Sequence, residues 1–284
     1  MIELGENRYG KSAIRLLRVV RGAGGQRVRD LTVAVSLEGA FETAHTEGDN
    51  SGVIATDTMK NTTYAFAKDH LEGSIENFGR RLAEHFREQP QVARATVTVR
   101  EHAWRPIPTR GGVAVSPDAF IRDASSTRLA IVTAGDGGTR FTSGIEELAM
   151  MKTAKSAFVG FPRDRFTTLR EATDRLMATQ VSARWQYGRS SDESDFDRCF
   201  EAVTETLLEA FAEHSSPSVQ ASIWIIGRAI LEAHAEVTEV SLSMPNLHHW
   251  LVDLEPFGLA NEGEIFMPTR EPHGLIEATI RRRG

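Results

Sequence analysis

Cysteine is nearly absent from this 284-residue chain: Cys199 stands alone. One thiol excludes an intrachain disulfide and any thiolate-rich metal site. Positive charge is not in excess either. With 33 Lys and Arg against 39 Asp and Glu, the net charge is −6 and the pI about 5.9. That balance argues against a partner held by phosphate neutralisation, so no nucleic acid is expected. It leaves an anionic small substrate open, because a few well-placed basic groups suffice for one. No apolar run approaches the roughly 18 residues of a membrane span, so no membrane partner is expected. The opening "MIELGENRYGKS" lacks the apolar core of a secretory leader, and the closing "ATIRRRG" is not a Ser-Lys-Leu peroxisomal address. A reducing cytoplasm is the expected location. What remains is an ordinary globular composition, 40% hydrophobic and 25% charged, long enough for one large or two medium domains.

The hydrophobic pattern divides this length into two similar halves. In Asp30 to Glu38, Leu31, Val33, Val35 and Leu37 share one face of an alternating segment. Ala93 to Arg100 alternates in the same way, and both segments predict antiparallel strands with one face covered. Ser12 to Arg21 is expected to pair with the first through the glycine-rich turn "GAGGQ". Between the strands, Ile75, Phe78, Leu82 and Phe86 recur at helical spacing. Further strands are expected through Ala119–Phe120 and Arg128–Ala134, with a boundary at "DGGTR", Asp136 to Arg140. The second half predicts a strand over Gly144–Lys155, a helix over Thr168–Thr179 and a loop at "GRSSDESD". A helix carrying Phe196, Phe200, Val203, Leu207 and Phe211 comes next, then one from about Ser218 to His234, then strands at Val237–Ser243 and His249–Leu254. The outline is α+β, an antiparallel sheet with helices on one face, twice, with domains at 1–137 and 138–284.

Several short stretches carry chemistry, and each has a plainer reading beside it. Lys11 in "NRYGKS" is either a solvated lead-in to a strand or a base. The second role needs burial or a nearby cation to bring its pKa down from about 10.4, and Arg8 is such a cation in sequence. In "ATDTMKNT", a Thr or Asp is expected to cap the helix after it, which accounts for one residue and leaves the others unexplained. Arg175, on the helix predicted over Thr168–Thr179, could pair with Asp174 or Glu171, or offer its planar fork to an anionic heterocycle. Phe158 in "SAFVGF" suits either the core or a ring stack. Gln220 in "SPSVQ" opens an apolar helix, where free backbone N–H groups and an amide offer donors and an acceptor together. In "MPNLHHW", an extended chain puts Asn246 and His248 on one side. The neighbouring His248 and His249 lack the carboxylate and cysteine company of a metal site, so none is expected.

Together, "LGENRYGKS", "TDTMKNTTYAFAKDH", "FVGFPRDRFTTLREATDRLMATQVSARWQY", "SPSVQ" and "VSLSMPNLHHWLVDL" closely resemble the urate oxidase (uricase) family, in the family's order and on to "PHGLIEATIRR" near the end. The resemblance implies the tunnelling fold: two tandem domains, each a four-stranded antiparallel sheet with helices on one face, assembled as a homotetramer around a barrel-walled tunnel. It implies oxidation of urate by O2 and water to 5-hydroxyisourate and hydrogen peroxide, with no metal or organic cofactor, at sites on subunit interfaces. Such an enzyme takes the first step in degrading urate towards allantoin. Lys11, Thr56 and His248 match the family's proton relay. Phe158 matches the residue that stacks on the purine, and Arg175 and Gln220 match the pair that grips its edges. Asp57 and Val219 match positions whose backbone N–H groups meet the ligand, and Asn246 matches the asparagine above the ring. Two other readings stay open, a zinc-dependent pterin enzyme of the same fold and a purine-binding protein without turnover.

Overall fold

The computed structural model describes residues 2–22, 25–112, 114–188 and 195–283. Strands β1 (Tyr9–Gly22) and β2 (Gly25–Gly39) form the expected hairpin. Its turn includes residues 23–24, outside the described residues, as do residues 189–194 of the "GRSSDESD" stretch. Helices α1 (Glu42–Thr46), α2 (Thr56–His70) and α3 (Ile75–Arg87) precede β3 (Val92–Glu101), β4 (Trp104–Pro108), β5 (Val115–Arg122) and β6 (Thr127–Gly135). Then come β7 (Gly138–Lys152), β8 (Met177–Tyr187), α4 (Phe196–Glu213), α5 (Val219–Ala233) and β9 (Val237–Ser243). The chain ends with β10 (Asn246–Leu247), β11 (His249–Leu251), β12 (Phe266–Pro268) and β13 (Glu277–Arg281). No helix among the described residues is long and apolar enough to cross a membrane.

The chain divides into two compact units, Met1–Gly144 with Gln186–Arg198, and Ile145–Trp185 with Cys199–Gly284. Residues 137 and 138, where the boundary was expected, lie at the tight turn joining β6 to β7. In the first unit, β1, β2, β3 and β6 pair antiparallel in that order. Alternation puts Leu31, Val33, Val35 and Leu37 of β2 in the core beside Ala95, Val97 and Val99 of β3. Helix α3 packs on β3 and β6 through Ile75, Phe78, Leu82 and Phe86, all buried. Each such side chain stabilises the unit by about 1.5–3 kcal/mol relative to exposure. The Ser74 hydroxyl caps that helix, accepting from the Asn77 N–H at 3.2 Å. The strand expected through Ala119–Phe120 lies in β5, which pairs with β4 in a separate two-stranded sheet.

Strand β1 is irregular at one point. Lys11 pairs with Val35 and Ile14 with Val33, so Ser12 and Ala13 together face one partner residue, and Ala13 takes φ 54°. This β-bulge kinks β1 just past Lys11. Gly10 lies so close to β2 that a Cβ there would fall 1.9 Å from the Val35 carbonyl oxygen, so only glycine fits.

In the second unit, α5 packs on β9 and β13, and Trp185 of β8 meets Phe200 of α4 at 5.8 Å. The strand expected over Gly144–Lys155 is β7, displaced towards the N-terminus. The helix expected over Thr168–Thr179 does not form. Ala172 exchanges two backbone hydrogen bonds with Phe158, at 2.8 and 3.1 Å, and the Arg175 N–H donates to the Ser156 carbonyl at 2.7 Å. Donors and acceptors that a helix would pair internally are taken by residues 156–158. From Met177 the chain continues directly into β8.

Candidate active site

A cavity of about 640 Å³ in the second unit is lined by Phe158, Arg175, Val219, Gln220, Asn246 and His248 among others. All six were singled out from the sequence, on four separate segments, and the fold brings them to one cavity. The pairing of residues 156–158 with residues 172–175 sets Phe158 beside Arg175, whose guanidinium carbon stands 5.3 Å from the ring centroid. Phe161 stacks parallel to Phe158, with centroids 5.0 Å apart. Arg175 makes none of the expected ion pairs. Asp174 instead accepts from the Ser156 N–H and Glu171 from the Gly160 N–H. The Arg175 Nε is buried without a partner among the described residues, and burial pushes the guanidinium down from its ordinary value. A cation with an unsatisfied donor at a cavity wall attracts an anionic ligand.

Val219 and Gln220 come from the first turn of α5, which is capped by the Ser218 hydroxyl accepting from the Ala221 N–H at 3.1 Å. Asn246 is fixed through its backbone, which donates to the Gly274 carbonyl at 2.7 Å and pairs with Thr179 of β8. The His248 carbonyl accepts from the Thr269 N–H at 2.8 Å, and its ring lies 5.6 Å from that of Trp250, also on the cavity wall. Arg170 and His249 line the cavity as well. Neither was expected there, because an exposed arginine in a polar loop carries no local signal.

Lys11, Thr56 and Asp57 belong to the first unit and do not line this cavity. The expected side-chain cap in "ATDTMKNT" is not made: the cap position is Ala55, with no side-chain cap bond, and Thr56 opens the helix proper. Both Thr56 and Asp57 thus sit in the first turn, where backbone N–H groups have no helical acceptor. Asp57 pairs with Lys60 and accepts from Asn61 at 2.9 Å. The Lys60 ammonium first, then Asn61 and the more distant Lys11, hold its carboxyl below the usual range.

Tyr9 was missed from the sequence. Two residues before Lys11 on β1, its hydroxyl accepts from the Ile54 N–H at 2.8 Å, tying the chain entering α2 to the strand that carries Lys11. Burial raises its pKa, with the Ile54 N–H opposing. The ring meets Phe41 edge-on at 4.7 Å.

Among the described residues, no three His, Cys, Asp or Glu converge in a way that could hold a metal ion. The thiol of Cys199 is buried and donates to Glu236 at 3.3 Å.

Comparison with known proteins supplies independent findings. The sequence profile of the family described as Uricase matches residues 7–133 and 141–277. The uricase of Arthrobacter globiformis is 44% identical over the whole of this chain and 91% of its own length. That of Dictyostelium discoideum is 38% identical over 99% of this chain and 98% of its own. The crystal structure of the Arthrobacter globiformis protein superposes with a TM-score of 0.93, covering 100% of this chain and 96% of that one. A uricase structure from Bacillus fastidious, at 25% identity, reaches 0.83 over 97% of this chain and 93% of its own.

Proposed function

Because this chain belongs to the uricase family and is a urate oxidase, we propose that it converts urate, O2 and water to 5-hydroxyisourate and hydrogen peroxide without a metal or organic cofactor. The observation that carries this reading is the cavity where Phe158, Arg175, Val219, Gln220, Asn246 and His248 meet. A flat ring on the Phe158 face would present its edges to Arg175 and Gln220, and charge-assisted hydrogen bonds there hold the urate anion. Triplet O2 reacts slowly with closed-shell molecules, which is why many oxidases employ a flavin or a metal. A deprotonated urate is electron-rich enough to give its electrons to O2 directly, provided the site fixes the anion and handles the protons.

Two electrons leave urate and reduce O2 to peroxide; two protons complete H2O2, and water adds hydroxyl to the oxidised ring. Lys11, through the Thr56 hydroxyl and with His248, takes and returns those protons. Asn246 stands over the open ring face, and the N–H groups of Asp57 and Val219 meet the substrate. Lys11, Thr56 and Asp57 lie in the first unit while the cavity is lined by the second. From membership of the family, we propose that the complete site lies at an interface between copies, in a homotetramer whose sheets wall a tunnel.

The test tracks urate absorbance and peroxide release together in the presence of a chelator. One peroxide per urate, undiminished by chelation, is the expected result. Loss of turnover on chelation, restored by metal, would overturn the cofactor-free reaction. Full activity of a monomer at high dilution would overturn the shared site.

A further inference from the structure

Beneath the start of α5 lies a chain of hydrogen bonds that the proposed reaction leaves unused. The Nδ1 of His214 is 2.6 Å from the Ala210 carbonyl oxygen, which only accepts, so Nδ1 carries a proton. On the other side of the ring, Nε2 faces the Ser222 hydroxyl at 2.8 Å. Ser222 is in turn 2.8 Å from the Ser216 hydroxyl, and both serines are buried. Each also reaches the Ser218 carbonyl oxygen, Ser216 at 3.1 Å and Ser222 at 3.2 Å. That carbonyl belongs to the peptide whose N–H is Val219's, at the cavity wall.

The ring's charge sets the direction of the chain. A neutral imidazole has only a lone pair at Nε2, so Ser222 donates to it and the short links run from Ser216 through Ser222 to His214. An imidazolium donates from Nε2. Ser222 then turns its O–H to Ser216, and Ser216 turns its own to the Ser218 carbonyl. A carbonyl that accepts such a bond polarises its whole peptide and makes the N–H a stronger donor. Resting on the urate oxidase reading, we propose that His214 is a positioning residue for substrate capture, setting through Ser222 and Ser216 the donor strength of the Val219 N–H.

The surroundings favour the neutral ring. Burial first, then the Lys152 ammonium on β7, depress its proton affinity below that of an ordinary imidazole, while the Ala210 carbonyl opposes them. Lys152 itself donates to the Ala212 carbonyl at 3.0 Å and stands 5.3 Å from the Phe211 ring centroid. From α5 the ring meets the uncharged Ser222, and from α4 the edge of Phe211 at 6.3 Å. The direction of the chain therefore reverses once falling pH protonates the ring.

Urate KM and kcat are measured for the wild-type protein, His214→Gln and Ser222→Ala between about pH 5 and pH 8. Glutamine puts a polar atom near the Nε2 position but does not titrate. Urate's own ionisation is common to all three proteins, so the ratio of KM values isolates the ring. The wild-type to His214→Gln ratio is expected to fall about two- to fivefold from pH 8 to pH 5, with the kcat ratio within about twofold. With Ser222→Ala the chain is cut, and its KM is expected to track the His214→Gln profile. A flat KM ratio, or an effect confined to kcat, overturns the role of His214. A wild-type protein that neither binds nor oxidises urate overturns the functional reading, and this inference with it.

Discussion

In the first unit, α3 crosses β6 at Gly79, where a Cβ would come within 2.9 Å of the Val132 side chain; in the second, α5 crosses β13 at Gly227, where it would come within 2.5 Å of Ile280. Both units thus let a helix approach a strand closely through a glycine, and both bury an apolar helix stripe on a sheet. Their polar interiors differ. In the first unit, the fully buried Glu76 of α3 accepts from Arg128 at 2.8 Å and from the Ser143 hydroxyl. Arg128 also reaches Asp197, and Tyr187 donates to Ser143, so an ion pair and a hydrogen bond join the 186–198 segment to the body of the unit. In the second unit, the corresponding interior holds hydroxyls and one imidazole beneath the cavity, with the buried Lys152 ammonium donating to the Ala212 backbone carbonyl beside them. The difference pairs with the proposed division of labour: the first unit offers Lys11 and Thr56 for proton transfer, and the second grips the ring.

The sharpest way to break that division is to disable one half and watch the other. Lys11→Met or Thr56→Ala should lower kcat by roughly two to four orders of magnitude while urate affinity, read by titration, changes far less. Full turnover of Thr56→Ala would remove it from the relay. The buried ionic interior is tested by Glu76→Ala, which leaves Arg128 without its buried partner. Denaturant unfolding should show a loss of about 3 kcal/mol, with Asp197 sparing the rest of the usual penalty. A loss near zero would mean that the charges contribute no more than surface pairs do. From the other half, Arg175→Ala should raise KM roughly ten- to a hundredfold, the worth of a charged hydrogen bond. An unchanged KM would mean that the unpaired Nε does not face the ligand.

How much of this could be read from the sequence depended on the range of the forces involved. The strands β1, β2 and β3 and helix α3 arise from side-chain periodicity, which short segments display by themselves. The segment 168–179 misled because its apolar spacing suits a helix, while backbone bonds to residues 156–158, set by the tertiary fold, claim its donors. Six cavity residues were named on family resemblance, and the plainer readings of Arg175 as an ion pair and "ATDTMKNT" as a side-chain cap gave way to geometry. Tyr9, His214, Ser216 and Ser222 were not singled out, since each acts through a bond to a distant or non-periodic partner. A serine inside an apolar helix face, as Ser222 is between Val219 and Ile223, was the one available signal.

The bulge in β1 constrains how this protein can change. Ile14 lies opposite Val33 and Lys11 opposite Val35, so both belong to the face those buried valines define, although their numbers differ in parity. The extra residue at Ser12–Ala13 acts as a phase shift: it lets the same strand supply the core downstream and the lysine upstream. Substitutions at Ser12 leave the phase alone, whereas removing a single residue there would rotate Tyr9 and Lys11 to the opposite face. The placement of the lysine is thus recorded less in which residues surround it than in how many are counted before the core begins, and deletions, more than substitutions, are what this stretch cannot absorb.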